Sequence, residues 1–294
     1  MLEIKEEFMK TIKTAGFFAI FLALFLTVSC RKEGTNMKKN QAKNETYRLE
    51  VEKGHFIANI GGKRVLIDTG SPASGGVFST PFWGDVDGGK TVTGVPVKYI
   101  SELSGVKFDA LMGMDMLSTV NFSFRLGEGT FTVSKDEPEG NGKEIPLGFV
   151  MGIPKVPVTV QGKGTTMVLD TGAFISYFSP AWVNGIEPVR NEEDYFPLMG
   201  RFTTPVHELE VGIAGTNLKM EGGQLPAVLG MSLSAIAGNS AILGNKLFEH
   251  FDADFLMLRK KPVLRLNPAK GEARLPADSA ERYKASREER EEAI

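Results

Sequence analysis

An all-β chain built from two equivalent lobes, with few and short helices, is what this sequence of 294 residues predicts, and three observations predict it. Between about Tyr47 and Asn267, short apolar or alternating runs are punctuated by Gly, Pro, Asn and Asp, and few stretches carry a helical period. The segment Val65-Leu66-Ile67-Asp68-Thr69-Gly70-Ser71 returns as Met167-Val168-Leu169-Asp170-Thr171-Gly172-Ala173, its aspartate 102 positions further on (170 − 68). Finally, Leu111-Met112-Gly113 is answered by Ile242-Leu243-Gly244, in the same order along the chain and each followed by an apolar strand. Two motifs repeated in one order mean repetition of a whole unit.

The elements follow from the N-terminus. Lys5, Lys10 and Lys13 precede an apolar run at 15–28, which is short for a membrane-spanning helix and suits the hydrophobic region of a signal peptide. Leu26-Thr27-Val28-Ser29-Cys30 resembles the lipobox of bacterial lipoproteins, with Thr27 where Leu is more usual. The resemblance implies a signal peptide over 1–29, lipidation of Cys30, and a membrane partner through an N-terminal lipid anchor in the bacterial cell envelope, facing the periplasm or exterior. Residues 30–45 are polar and lysine-rich, the composition of a flexible tether. Cys30 is the single cysteine, so no intramolecular disulfide is available and the folded part must stand on its core.

The first lobe is placed at 46–137, with strands expected at 47–51, 56–60, 65–67, 95–100, 121–126 and 130–133. Pro138, Gly140, Asn141 and Gly142 among charges mark a linker at 136–142. The second lobe is placed at 143–268, with strands expected at 156–160, 167–169, 208–213, 252–257 and 263–266. The separation of Gly113 and Gly244 is 131, so the second lobe carries 29 more residues between its two motifs (131 − 102). Residues 269–294 form a charged tail of helix-friendly composition.

Composition removes several function classes. The 34 basic and 36 acidic residues leave a net charge of −2, which offers no field for holding nucleic acid. His55, His207 and His250 are isolated, with no second ligand at i+3 or i+4, and read as surface or structural histidines rather than a metal site. No Walker pattern occurs, and no cofactor is implied. Trp83 and Trp182 read as core residues or as a wall of a cleft; Asp109, Asp115 and Asp254 read as turn or strand-end residues.

On the two Asp-Thr-Gly segments and the two apolar-apolar-Gly segments, the chain resembles an aspartic protease of the pepsin and retropepsin superfamily, bilobal and single-chain, with lobes of retropepsin length. The resemblance implies two pseudo-twofold-related β-barrel lobes and a catalytic dyad of Asp68 and Asp170. It also implies interlocked Thr69 and Thr171, a polypeptide substrate, no metal or cofactor, and a monomer, since both lobes lie in one chain. The chemistry suits the residues: two close carboxylates share one proton, the ionised one activates a water and the protonated one polarises a carbonyl.

Gly70 and Gly172 are expected to turn with positive φ. Ser71 is expected to donate toward Asp68, which Ala173 is unable to do for Asp170, so that Asp170 holds the shared proton more tightly. Candidate flaps are the turn at 85–89 or Thr93-Gly94 in the first lobe and 195–201, with Met199-Gly200, in the second. Tyr99 is the only tyrosine between Asp68 and Gly113, so a tyrosine is missing where the pepsin flap has one. The function these residues support is a membrane-anchored aspartic endopeptidase. The alternatives are a non-catalytic peptide-binding lipoprotein that keeps the fold, and a structural envelope protein in which both loops are turns.

Overall fold

The computed structural model describes residues 43–237, 241–270 and 275. The signal peptide, Cys30, most of the tether, Ser240 and nearly all of the charged tail lie outside the described residues. Within them the chain is all-β, with short α-helices at Val97–Ser104, Met114–Leu117, Pro180–Val183 and Ala227–Ala237.

Each half opens in the same way. Asn44–Glu52, His55–Ile60 and Lys63–Ile67 form an antiparallel meander, and the chain returns to lay Ala110–Met112 parallel to Lys63–Ile67. In the second half Gly148–Val150, Ile153–Val160 and Lys163–Leu169 form the meander, and Ile242–Leu243 lies parallel to Lys163–Leu169. The hairpins close through two-residue turns with φ positive at both positions: Lys53-Gly54, Gly61-Gly62, Met151-Gly152 and Gln161-Gly162. That backbone matches the twist of the paired strands and favours glycine in the second place. The 29 added residues fall in the region holding the antiparallel ribbon Arg190–Phe196, Gly200–Ile213 and Thr216–Gln224 and the helix Ala227–Ala237.

The halves join in one nine-stranded sheet. Phe251–Leu256 of the second half pairs antiparallel with Asn121–Arg125 of the first, and Lys143–Pro146, just past the linker, pairs with Val263–Pro268. Across the seam Phe122 and Phe255 stack with centroids 4.2 Å apart, and the fully buried Phe56, Phe124, Phe131 and Phe248 pack around them. Burial of each such side chain is worth about 1.5–3 kcal/mol, so the seam is a common core rather than a contact between finished bodies. Arg259 and Arg265 hold Glu137 and Glu144, which pins the linker to the last strand.

Two sequence expectations are corrected here. Residues 95–100 are not one strand: Val95–Pro96 pair antiparallel with Thr91–Val92, after which Pro96 caps a helix whose buried face is Val97, Ile100 and Ser104, and Gly105 ends it at φ +68°. The Val95, Val97, Tyr99 alternation masked that helical period. Asp254 is not a turn residue but lies mid-strand with no exposure. It accepts from Ser123 Oγ at 2.8 Å, from Asn267 Nδ2 at 3.0 Å and from Arg125, the partners a buried carboxylate requires.

Candidate functional site

The two repeated motifs meet at their loops. Val65, Leu66 and Ile67 are buried, as are Met167, Val168 and Leu169, so each strand delivers its aspartate at the end of an apolar run. The Asp68 amide donates to Met112 O at 3.0 Å and the Asp170 amide to Leu243 O at 3.0 Å. The residue after each motif glycine closes the loop, Met114 N donating to Ser71 O at 2.8 Å and Asn245 N to Ala173 O at 2.9 Å. A Cβ at Gly113 would come to 2.5 Å from Ala73 O, and one at Gly244 to 2.9 Å from Ala173 O; the loops leave no room there for a side chain.

Between the lobes the threonines cross. Thr69 N donates to Thr171 Oγ1 at 2.9 Å and Thr171 N to Thr69 Oγ1 at 3.0 Å. Thr69 Oγ1 donates to Leu169 O and Thr171 Oγ1 to Ile67 O, each at 2.8 Å. Both threonines are fully buried, so four mutually dependent bonds fix the two loops against each other.

This lock brings Asp68 and Asp170 within hydrogen-bonding reach of one another, each with one face toward a cavity of about 170 Å³. Gly70 N donates to Asp68 Oδ1 and Gly172 N to Asp170 Oδ1, both at 2.8 Å. Neither glycine has positive φ. The expectation on that point is corrected, and the reason for glycine is steric: a Cβ at Gly172 would lie 2.7 Å from the Asp68 carboxylate, and one at Gly70 would come closer still to that of Asp170. Each loop is kept bare so that the opposite carboxylate can approach.

Burial raises both aspartates above the ordinary carboxylate range, and for Asp68 the charge of Asp170 adds to it. Two such groups titrate as one pair. Ser71 Oγ donates to Ala73 O at 2.7 Å and not to Asp68. Ser71 therefore gives no reason to place the shared proton on Asp170, and the two carboxyls hold it as a pair. Ala173 enters the network through its backbone, its amide donating to Asp170 O at 3.2 Å and its carbonyl accepting from Asn245 N at 2.9 Å.

Several residues of the site were not singled out in the sequence. Ser74 and Ser176 each stand six positions after an aspartate and accept from the motif glycines, Gly113 N at 2.9 Å and Gly244 N at 3.2 Å. Extending the repeat alignment by three residues would have found them. Asp115 Oδ1 accepts from Ser74 Oγ at 2.6 Å, which gives a residue read as a turn aspartate a bracing role. Tyr177 Oη donates to Asp194 Oδ2 at 2.6 Å; both line the cavity, Asp194 is buried, and its charge helps raise Asp170. No local pattern marks that pair.

Two hairpins flank the cavity. The turn Thr93-Gly94 of the first lobe lines it, whereas the turn at 85–89 does not. From the second lobe, Tyr195 to Leu198 line it at the tip of the long ribbon. Tyr195 and Leu198 pack against the first-lobe cluster of Ile57, Leu66, Val92 and Ile100, so the tip spans both lobes. Trp83 packs on Phe82 in the core, and neither tryptophan lines the cavity. His55 and His207 are buried and His250 is exposed.

No protein-family model and no curated protein matches the chain. Among solved structures, it is similar to a retropepsin-like aspartic protease from Rickettsia conorii, at 17% identity and TM-score 0.32 over 44% of this chain and 92% of that one. It is also similar to the simian foamy virus protease, at 15% identity and TM-score 0.25 over 31% of this chain and 88% of that one. A third is the foamy viral protease-reverse transcriptase in complex with an RNA/DNA hybrid, at 17% identity and TM-score 0.26 over 32% of this chain; only 11% of that longer chain is covered.

Proposed function

We propose that this chain is an aspartic endopeptidase, a membrane-anchored hydrolase of peptide bonds in which Asp68 and Asp170 activate a water. The observation that supports this most directly is the threonine crossing, which holds two carboxyls together beside a cavity flanked by a hairpin from each lobe. A binding module would have no use for that costly proximity. With one proton shared, the ionised carboxylate takes a proton from water as its oxygen attacks the peptide carbonyl carbon. The protonated carboxyl donates to the carbonyl oxygen, giving a tetrahedral diol. Return of a proton to the leaving nitrogen as the carbon–nitrogen bond breaks completes hydrolysis. Raised carboxyls extend the singly protonated form toward milder pH.

The anchor is part of the same proposal and rests on the Cys30 motif, with Lys5, Lys10 and Lys13 ahead of the apolar run. It places the enzyme at the cell envelope as a lipoprotein, working as a monomer on exported or envelope polypeptides. Purified 31–294 should cleave a denatured protein or a peptide library at mildly acidic to neutral pH and be blocked by a statine-type mimic. Asp68→Asn and Asp170→Asn should each abolish cleavage; normal cleavage by either refutes the mechanism. Binding of peptides without cleavage at any pH would instead favour the binding module. Loss of membrane association in Cys30→Ala tests the anchor separately.

A further inference from the structure

The two lobes hold their dyad loops by different means. On the Asp68 side the brace stays within one lobe, running from Asp115 to Ser74 to the Gly113 amide. Met114, the residue after the motif glycine, contributes only its backbone, and its apolar side chain is buried. At the matching place on the Asp170 side stands Asn245, fully buried. Its Nδ2 donates to Thr171 O at 2.8 Å and to Gly54 O at 2.9 Å, the latter 191 positions away in the first lobe. Its own amide donates to Ala173 O, so one residue holds the loop on both sides of Gly172.

Gly54 is shaped for this contact. It has φ +80°, and a Cβ there would run into the ring of Phe174, next in the chain after Ala173. The turn is thus held by Phe174 and Asn245 together. Asn245 Oδ1 has no hydrogen-bond partner among the described residues, so the amide makes its bonds only as a donor. A space-filling role would be met by an apolar side chain, as it is at Met114, without leaving a buried oxygen unpaired.

We propose that Asn245 is a positioning residue of the dyad, bolting the Asp170 loop to the first lobe through Gly54. It deepens the protease reading and rests on it for the catalytic consequence alone. Asn245 touches no reacting atom; it sets where Asp170 stands relative to Asp68, and displacement of a reacting group by about 1 Å costs up to a hundredfold in rate.

The test uses the full chain with Asn245→Met, which installs the first-lobe residue, and Asn245→Ser, which shortens the reach. In either variant kcat should fall about ten- to hundredfold with KM within about twofold of wild type. Amide hydrogen exchange at Thr69 and Thr171 should accelerate at least about tenfold, while exchange at Phe122 and Phe255 in the joining sheet is unchanged. Wild-type kcat in a folded variant, exchange that rises equally everywhere, or failure of both variants to fold would each overturn the proposal, the last two by making Asn245 merely structural. A wild-type chain without hydrolytic activity would sink the protease reading instead. The exchange pattern would still decide whether Asn245 bolts the loop.

Discussion

Replacing Thr69 by valine removes one oxygen and strands two partners. Thr69 Oγ1 donates to Leu169 O and accepts from the Thr171 amide, and both bonds are buried. Valine keeps the β-branched shape, so the loss is of hydrogen bonding rather than packing. A buried polar group left unsatisfied costs about 1–3 kcal/mol, so two of them cost roughly 2–6 kcal/mol, against a total stability of about 5–15 kcal/mol for a protein of ordinary kind. Thr171→Val should match it, because it strands Ile67 O and the Thr69 amide in the same way. The double variant should lose less than the sum, by about 0.5–3 kcal/mol, since the two hydroxyls belong to one network. Thr69→Ser keeps the oxygen and should stay within about 1 kcal/mol of wild type. The assay is urea unfolding followed by tryptophan fluorescence, with midpoints compared at constant slope. A Thr69→Val protein within about 0.5 kcal/mol of wild type, or additive losses in the double variant, would refute the picture of a reciprocal lock.

Gly70→Ala and Gly172→Ala should each lower kcat at least about a hundredfold, because the new Cβ displaces the opposite carboxylate; steady-state kinetics on a folded variant check this. Asp194→Asn removes a negative charge that opposes ionisation of Asp170, so the dyad should lose its proton at lower pH and the basic limb of kcat/KM should move toward acid. An unmoved limb would exclude Asp194 from setting it. Because folding raises the dyad carboxyls, their contribution to stability is present at low pH and lost as pH rises through the raised folded values. Denaturant midpoints of Asp68→Asn across pH should therefore fall less steeply than those of wild type. Glu137 behaves in the opposite sense: Arg259 and Arg265 lower its carboxyl to about 2, so its stabilisation is present above about 4.5 and lost as pH falls toward 2. Glu137→Gln should lower the midpoint slightly at neutral pH, little because the side chain is exposed, and not at all near pH 2.

The parts of this architecture that the sequence reveals are those the duplication writes twice. Asp68 with Asp170, Thr69 with Thr171 and Gly113 with Gly244 could be paired by inspection, and their strands read as apolar runs because they are buried on both faces. The extra length of the second lobe is legible too, but the side-chain contacts that break the twofold were hidden. Asn245 follows a recognised motif but differs from Met114, and the worth of that difference lies in a carbonyl 191 residues away. Asp194 is one acidic residue in a charged stretch until the ribbon folds it against Tyr177. Ser71 misled because its hydroxyl has a nearer acceptor in Ala73 O than in the dyad, a local competition that short hydroxyl side chains often win. The helix Val97–Ser104 was concealed by an alternation that also satisfies a period of two.

The joining sheet has a consequence for when the site comes into being during synthesis. Residues 143–146 have no neighbour in the sheet until Val263–Pro268 exists, and Asn121–Arg125 waits for Phe251–Leu256. The Asp170 loop waits in turn for Leu243 and Asn245. A nascent chain that has emerged only as far as the linker holds Asp68 without its partner, and one that stops short of Phe251 lacks the strand that fastens the halves together. The last fifth of the chain therefore acts as a delay: the carboxyl pair is completed only by residues made late, after the first lobe has had time to fold around Asp68.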